Sequence, residues 1–318
     1  MKSRMVMLMS LAIAALSVVL AAQRLDYTIR LAPPSAVHAH LPQRPHSYLG
    51  VFAAGKPSGY PAVDAFADAV GESPNLAGYF SGWAEPFDTG FADSLRNHGA
   101  AVLVQINPTD ASMAAIANGT YDEYLRDYAD SVKAFGGPVV IGFGPEMNAG
   151  WSPWGYGHVQ PSLFVKAWQH LVTVFRQVGA DNVTWLWTVQ ADQAGTGPIS
   201  DWWPGADYVT WVGIDGFYAQ PNQTFSGIFG LTITQVRAIT SRPILLAETA
   251  VGPRAGQLTK ILNLFAGMAK ANTLGLVWFN IDQHAGVYHQ DWQIQPDSIA
   301  ASAFRSGVRG YLPSLAKG

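Results

Sequence analysis

The sequence predicts an α/β fold of the (β/α)8, or TIM-barrel, type in a single domain. Eight short segments rich in Val, Ile, Leu and aromatic residues recur over about 270 residues, a count and length that match such a barrel. Segments with helical periodicity lie between most of them. The eight segments are apolar on both faces, as expected where helices cover one face and the barrel core fills the other.

The predicted strands, in chain order, are SYLGVFAA, LAGYFSGW, AAVLVQINP, PVVIGFG, VTWLWTVQ, YVTWVGIDGFY, PILLAETA and LGLVWFNID. The clearest helical patterns cover residues 62–70, 121–135, 162–178, 234–240 and 257–272. Several helices end in glycine, as in RNHGA, KAFGG and RQVGA, which is typical of a left-handed C-terminal residue. A doubly wound open sheet is the alternative, but no G-x-G-x-x-G motif follows an early strand.

The composition narrows the classes of function. The chain has 318 residues, no cysteine and a formal net charge of −3, and only 13% of its residues are charged. The absence of cysteine excludes disulfides and thiolate metal sites. The negative net charge gives no indication of a basic surface that would bind nucleic acid, nor of a polybasic patch that would bind a membrane. Eleven tryptophans on a weakly charged chain favour a neutral, hydroxyl-rich ligand, and we expect no cofactor.

The N-terminus predicts export. Lys2 and Arg4 precede residues 5–22, an apolar run without any charge, which is the layout of a secretory signal. The run is also about as long as a short membrane span. Residues 1–22 are therefore either a cleaved signal peptide or an N-terminal membrane anchor, and both remain open. Either one predicts an extracellular or cell-surface protein.

A linker is predicted between this segment and the barrel. Residues 23–46 carry four prolines and no periodic pattern, which is typical of an extended connection. His38, His40 and His46 lie in it without a neighbouring carboxylate, so we expect solvated histidines and no metal site. The barrel domain is predicted to cover residues 47–318.

The candidate catalytic residues lie at strand ends, because active sites of such barrels form at the C-terminal ends of the strands. Glu146 follows the fourth strand and Glu248 ends the seventh. Cleavage of a glycosidic bond requires two carboxyl groups, one to protonate the leaving oxygen and one to attack or stabilise the sugar centre. The ends of strands four and seven face each other at a distance compatible with the roughly 5–5.5 Å of a retaining pair. Either glutamate alone has the alternative of an ion pair or a helix cap.

Aromatic and amide side chains near these ends are candidate sugar-binding residues. The loop GFGPEMNAGWSPWG carries Asn148, Trp151 and Trp154, and we expect the two tryptophans to form a wall for flanking sugars. Trp83 follows the second strand. Asp215, near the end of the sixth, is either a further polar residue of the site or a prop for a neighbouring loop.

Three motifs together resemble a known family. GFGPEMNAGWSPWG, WVGIDGFY and ILLAETA, in this order, resemble glycoside hydrolase family 26, the β-mannanase family of the retaining (β/α)8 clan, over about residues 47–310. The resemblance implies that Glu146 is the acid/base and Glu248 the nucleophile. It implies that Trp278 is the aromatic platform under the sugar, although a barrel-core position is the alternative. Tyr218 would match the tyrosine that bonds the nucleophile, but Phe217 stands where that tyrosine aligns.

One departure from the family pattern concerns the residue before the acid/base. The family usually has histidine there, and this chain has Pro145, which has neither a side-chain donor nor a backbone N–H. Its presence is compatible with weak activity, a changed sugar preference or a protein that only binds.

Three functions follow from these residues, two of them enzymatic and one a binding function. The first is a retaining hydrolase of β-linked mannan or a related β-glucan. The second is a non-catalytic carbohydrate-binding protein on the same barrel, against which the retention of both glutamates argues. The third is a metal-dependent hydrolase that uses His284, His289 and Asp291, which the sequence disfavours because these residues share one loop.

Overall fold

The computed structural model describes residues 41–53, 60–283 and 290–312. The predicted signal or anchor segment and residues 23–40 of the predicted linker lie outside this range. Within the described part of the chain, no helix is long and apolar enough to cross a membrane. Residues 41–46 contact the barrel: the Tyr48 hydroxyl donates to the Pro42 carbonyl at 2.7 Å. The His46 and Tyr311 rings lie 4.3 Å apart, so His46 packs on the barrel and is not the solvated residue expected.

The eight predicted strands are confirmed, and they close into a parallel barrel in the order β1 to β8, with β8 pairing back to β1. Neighbouring strands in the barrel are neighbours in sequence, as the repeated βα pattern requires. The strands are Tyr48–Ala53 (β1), Leu76–Gly82 (β2), Ala101–Asn107 (β3), Val139–Phe143 (β4), Val183–Gln190 (β5), Trp211–Tyr218 (β6), Ile244–Val251 (β7) and Gly275–Asn280 (β8).

Helices surround the barrel. In the described residues they are Pro61–Val70 (α1), Thr89–Asn97 (α2), Met113–Ala117 (α3), Asp122–Phe135 (α4), Pro161–Val178 (α5), Leu231–Ile239 (α6), Gln257–Ala271 (α7) and Ile299–Tyr311 (α8). The five predicted helical patterns are confirmed, and α2, α3 and α8 add to them. Gly136 and Gly179 end α4 and α5 with φ of 69° and 81°, which confirms the left-handed C-terminal signal.

A polar pair fills the barrel interior just below the candidate site. Gln105 of β3 donates from Nε2 to the Thr188 hydroxyl of β5 at 3.1 Å, across the shorter β4. A side chain at Gly142 on β4 would collide with the Gln105 amide, and one at Gly213 on β6 would collide with Thr188. The two glycines therefore provide the space for a polar layer in an otherwise apolar core.

Candidate active site

Glu146 lies directly after β4, where the chain leaves the barrel. Its backbone has a φ of 57°, in the left-handed region that costs a non-glycine residue about 1–2 kcal/mol. The Glu146 N–H donates to the Thr188 carbonyl of β5 at 2.9 Å, which fixes this turn against the neighbouring strand. Strained backbone of this kind concentrates at functional sites.

The Glu146 carboxylate is bonded to Trp151, five residues further along the same loop. Trp151 Nε1 donates to Glu146 Oε2 at 2.7 Å. The Trp151 side chain is 41% exposed, so one part of it holds the carboxylate and the rest is open to solvent. Trp151 therefore lies beside the candidate acid, and its role in binding sugar stays a prediction.

Glu248 lies on β7, and a bulge in that strand sets its direction. Leu246 and Thr249 pair with Leu276 and Trp278 of β8. Leu246 and Thr249 are three positions apart in β7, whereas Leu276 and Trp278 are two positions apart in β8. β7 therefore carries one extra residue at this point. Bulges beside active sites redirect side chains. The glutamate is 8% exposed, which leaves an edge of it open to a ligand.

A third carboxyl group, that of Asp215, lies next to Glu248. The two residues are partners in the pairing of β6 with β7. Asp215 is fully buried, and neither carboxylate oxygen has a well-aligned hydrogen-bond partner among the described residues. The structure therefore favours the first of the two interpretations of Asp215, a residue of the site, because a prop for a loop would be hydrogen-bonded to it.

The three carboxyl groups hold protons more tightly than exposed acids do. Burial raises the pKa of Glu146 to about 7, and the bond from Trp151 opposes part of this rise. Burial and then the charge of Glu146 raise the pKa of Glu248 well above its usual range. Burial, followed by the charges of Glu248 and Glu146, raises the pKa of Asp215 well above its usual range, and the Glu248 backbone N–H opposes it. Since each ionised group disfavours ionisation of the next, the three titrate as one cluster.

Two residues expected to bind substrate instead hold the loop that carries Glu146. Trp154 is only 7% exposed, and its Nε1 donates to the Pro145 carbonyl at 2.8 Å. Asn148 is buried, with Nδ2 donating to the Gln190 carbonyl at 2.9 Å and Oδ1 accepting the Gln190 N–H at 2.8 Å. The expectation of a sugar contact is corrected for both, because these polar atoms are engaged inside the protein.

Tyr218 and Trp278 face the helices and not the barrel mouth, contrary to expectation. The Tyr218 hydroxyl donates to Asn263 Oδ1 of α7 at 3.2 Å. Trp278 is fully buried with its ring 5.1 Å from that of Phe304 on α8, and its Nε1 donates to the Trp292 carbonyl at 3.0 Å. Trp278 therefore packs the barrel wall against α8, and Tyr218 anchors α7.

Their neighbours Phe217 and Phe279 take the inward positions. The two rings lie 5.5 Å apart at an interplanar angle of 84°, across the top of the strand that carries Glu248. Successive side chains of a strand point to opposite faces. On each of these two strands, the residue predicted from the sequence is therefore the outward-facing neighbour of the residue that faces the barrel.

Trp83 packs at the start of α4. Its ring centroid lies 5.3 Å from that of Tyr121, 5.0 Å from that of Tyr124 and 6.1 Å from that of Phe143. The indole nitrogen is buried and has no hydrogen-bond partner among the described residues. Trp83 is thus a packing residue in this structure, and a sugar contact by it stays a prediction.

The histidines of the disfavoured metal hypothesis, His284 and His289, lie outside the described residues. Within the described ranges, no group of three or more His, Asp or Glu side chains is arranged to hold a metal ion.

The sequence of this chain matches the model of one protein family. The model for glycosyl hydrolase family 26 matches residues 91–306, a span that covers more than half of the chain and contains both glutamates. The chain belongs to glycosyl hydrolase family 26. The resemblance inferred from the three sequence motifs is thereby confirmed.

Individual family relatives are distant. Endoglucanase H of Acetivibrio thermocellus is 26% identical over 265 residues, which are 78% of this chain and 29% of that protein. The β-1,3-xylanase TXYA of a Vibrio species is 32% identical over 124 residues, which are 38% of this chain and 25% of that protein. The match thus spans less than a third of the length of either relative.

A solved family 26 structure shares the fold. The β-mannanase of Bacteroides ovatus superimposes with a TM-score of 0.66 at 17% identity, over 85% of this chain and 90% of that one. The (β/α)8 architecture of the family 26 domain is therefore established on two grounds, the closed eight-stranded barrel itself and this superposition.

Proposed function

We propose that this family 26 domain is a retaining β-glycanase that hydrolyses a β-linked polysaccharide, with Glu146 as the acid/base and Glu248 as the nucleophile. One observation carries the proposal: Glu146, held by its N–H on Thr188 of β5, and Glu248 on β7 lie on either side of β6 at the same end of the barrel, where Asp215 of β6 pairs with Glu248. This reaction requires two carboxyl groups in one pocket. Membership of a family of glycoside hydrolases supports it.

The proposed reaction has two steps. In the first, the Glu248 carboxylate attacks the anomeric carbon and forms a glycosyl ester, while the proton of Glu146 passes to the departing glycosidic oxygen. In the second, the ionised Glu146 takes a proton from a water molecule, and the water oxygen displaces Glu248 from the anomeric carbon. Both glutamates return to their starting states, and the anomeric configuration is retained.

This reaction needs a proton on Glu146 and none on Glu248 at the start. A pKa of about 7 for Glu146 suits a general acid that works near neutral pH. Since ionisation of either glutamate disfavours that of the other, a state with one proton on the pair is favoured over a doubly ionised state. The competent form is the one that carries this proton on Glu146.

The substrate class is supported by the sequence motifs and by the names of the relatives. The motifs favour mannan or a related β-glucan, since they resemble the β-mannanase family. The relatives are named as an endoglucanase and a β-1,3-xylanase. All these substrates are β-linked chains of neutral pyranoses, in keeping with the weakly charged, aromatic-rich sequence.

Two variants test the assignment of roles. Glu248→Ala should abolish turnover, and azide should restore cleavage of an activated aryl glycoside with inverted configuration. Glu146→Ala should lose roughly 10²–10⁴-fold in rate on substrates with basic leaving groups, and far less on aryl glycosides whose leaving groups need no proton. Equal losses on both substrates would show that Glu146 is not the proton donor.

A protein that binds β-glycans without hydrolysing any would instead support the binding-only function. Pro145→His would then test the departure from the family pattern.

We also propose that the domain is exported. The support is the pair of basic residues, Lys2 and Arg4, ahead of an uncharged apolar run. Fractionation of the native host should find the barrel outside the cytoplasm. A cytoplasmic protein with residues 1–22 intact would contradict this.

A further inference from the structure

A small cavity lies between the ends of β5 and β6, beside the carboxyl cluster. Its volume is about 180 Å³, and its walls come from the end of β5 and the residues after it, and from the end of β6 and the turn that follows. Gln190, the last residue of β5, pairs with Asp215, which in turn pairs with Glu248. The cavity is smaller than the roughly 300–1,000 Å³ of a site for a drug-sized ligand. It therefore suits a single sugar ring and not a longer piece of chain.

Gln190 directs an unengaged amide group into the barrel mouth. Successive side chains of a strand alternate between its two faces, and Thr188, two residues earlier, bonds to Gln105 inside the barrel. Gln190 therefore faces inward as well. Asn148 engages both backbone groups of Gln190, whereas the side-chain amide has no hydrogen-bond partner among the described residues, although Gln190 is only 3% exposed. A nearly buried amide without a partner is a group that a ligand can satisfy.

Further polar groups lie on the other wall and at the rim of the cavity. Gln223 Oε1 accepts the Gln220 N–H at 2.7 Å, which orients this side chain, while its amide nitrogen donates to none of the described residues. Asp192 is fixed at the rim, because its backbone N–H donates to the buried Thr232 hydroxyl of α6 at 2.8 Å. Amide and carboxylate groups together offer the donors and acceptors that the hydroxyl groups of a neutral sugar require.

The chain beside the cavity has a conformation that is rare in proteins. Residues Ser226–Gly230 form a π-helical turn immediately before α6, and Gly227 and Ile228 of this turn line the cavity. Single π-helical turns occur frequently at functional sites. Ile228 adds an apolar contact to the polar groups, a combination that is usual in sites for small molecules.

The cavity lies on the side of the mouth where the leaving sugar departs. The Glu146 N–H donates to the Thr188 carbonyl of β5, so the proposed acid adjoins the strand that ends in Gln190. In the proposed reaction the anomeric carbon lies toward Glu248 and the glycosidic oxygen toward Glu146. The sugar attached to that oxygen is then on the Glu146 side, next to the end of β5 and within reach of the cavity.

We propose that the cavity between β5 and β6 is the subsite for the departing sugar, and that the amide groups of Gln190 and Gln223 bond to its hydroxyl groups. The inference rests on the proposed function and names side chains that hold the leaving group. These bonds fix the position of the leaving oxygen relative to Glu146, and proton transfer depends on that alignment. Loss of one bond therefore lowers kcat/KM for substrates whose leaving group is a sugar.

Gln190→Ala tests the subsite with two substrates made of the same sugar. An unmodified oligosaccharide releases a sugar, whereas a nitrophenyl glycoside releases a phenol that has no sugar hydroxyl groups for the cavity to bind. The variant should lower kcat/KM about three- to tenfold on the oligosaccharide, the equivalent of one hydrogen bond, and much less on the nitrophenyl glycoside. The sugar used is the one that the unmodified protein cleaves fastest among mannan, glucomannan, mixed-linkage glucan and β-1,3-xylan oligosaccharides.

Gln223→Ala is an independent second variant, because this residue lies on the other wall of the cavity, in the turn after β6. It should show the same selective loss, and it keeps the test valid if Gln190→Ala fails to fold. The matched control is Gln177→Ala, which makes the same chemical change at an exposed position near the C-terminal end of α5. The control should alter neither rate.

The outcomes separate this inference from the proposed function. A loss concentrated on the oligosaccharide supports the subsite. Equal losses on the two substrates in both cavity variants, or no loss in either variant, would overturn the subsite and leave the hydrolase proposal standing. Failure of the unmodified protein to cleave any of the oligosaccharides or their nitrophenyl glycosides would overturn the proposed function, and the inference with it.

Discussion

At the scale of single residues, the contact between Trp151 and Glu146 joins a candidate sugar-binding ring to the proposed acid/base. The indole N–H stabilises the ionised form of Glu146, while burial stabilises the protonated form and has the larger effect. The same indole remains 41% exposed and available to a sugar ring. One side chain thus lowers the pKa of the candidate acid and, in the proposed reaction, borders the place where the leaving group departs.

Trp151→Phe separates these two effects, since it keeps an aromatic ring and removes the donor. Without the hydrogen bond the pKa of Glu146 should rise above its present value of about 7. Since activity at high pH is lost when Glu146 gives up its proton, the alkaline limb of kcat/KM should move to higher pH by about half to one unit. A pH–rate profile measures this. An alkaline limb that stays in place or moves down would contradict the assignment of Glu146 as the acid.

At the scale of elements, the loop between β4 and α5 is rigid at its base and open at its tip. Trp154 and Asn148 bond to backbone groups of the loop and of β5, and the Glu146 backbone bonds to β5 as well. Trp151 lies in the exposed part of the loop. Catalytic groups need this kind of support, because a loosely held acid loses the alignment on which its rate depends.

The two tryptophans of this loop should respond differently to truncation. Trp154→Ala should cost about 3–5 kcal/mol of unfolding free energy, as for other buried tryptophans, because it empties the base of the loop. Trp151→Ala should leave stability nearly unchanged and weaken substrate binding, since the ring is largely exposed. Thermal unfolding and substrate titration of both variants make the comparison. A large loss of stability in Trp151→Ala would show that its ring is a packing group.

At the scale of the whole molecule, the barrel carries a cluster of buried acids that opposes its stability. The pKa values of Glu146, Glu248 and Asp215 are all raised by burial. A group whose folded-state pKa exceeds its unfolded value holds its proton more tightly in the folded protein. The unfolding free energy therefore falls as the pH rises from about 4, the usual carboxyl value, through the folded-state values.

Asp215→Asn should remove part of this pH dependence. The variant should melt about 2–4 °C above the unmodified protein at pH 8, with a smaller difference at pH 5, because a raised pKa costs less stability as the pH falls toward the unfolded-state value. Activity should fall, because the charge balance around Glu248 changes. The control is Asp93→Asn, in an exposed ion pair of α2. It should change neither the pH dependence of the melting temperature nor the activity. Equal shifts at both pH values would show that the charge of Asp215 is not the cause.

The architecture and the pair of glutamates could be predicted from local sequence patterns. Strand and helix periodicity is a local property that each segment carries alone, so all eight strands were predictable, and the C-terminal ends of strands four and seven led directly to Glu146 and Glu248. The family was predictable for the same reason, since its motifs are contiguous.

The identity of the side chains that border the site depends on how the strands pair and pack. On β6 and β8 a choice between adjacent aromatic residues depends on register, and a difference of one position exchanges Phe217 for Tyr218 and Phe279 for Trp278. The bulge in β7 depends on pairing with both neighbouring strands, which no local pattern of β7 encodes. Side-chain direction is set by contacts between segments distant in sequence, and periodicity within one segment cannot supply it.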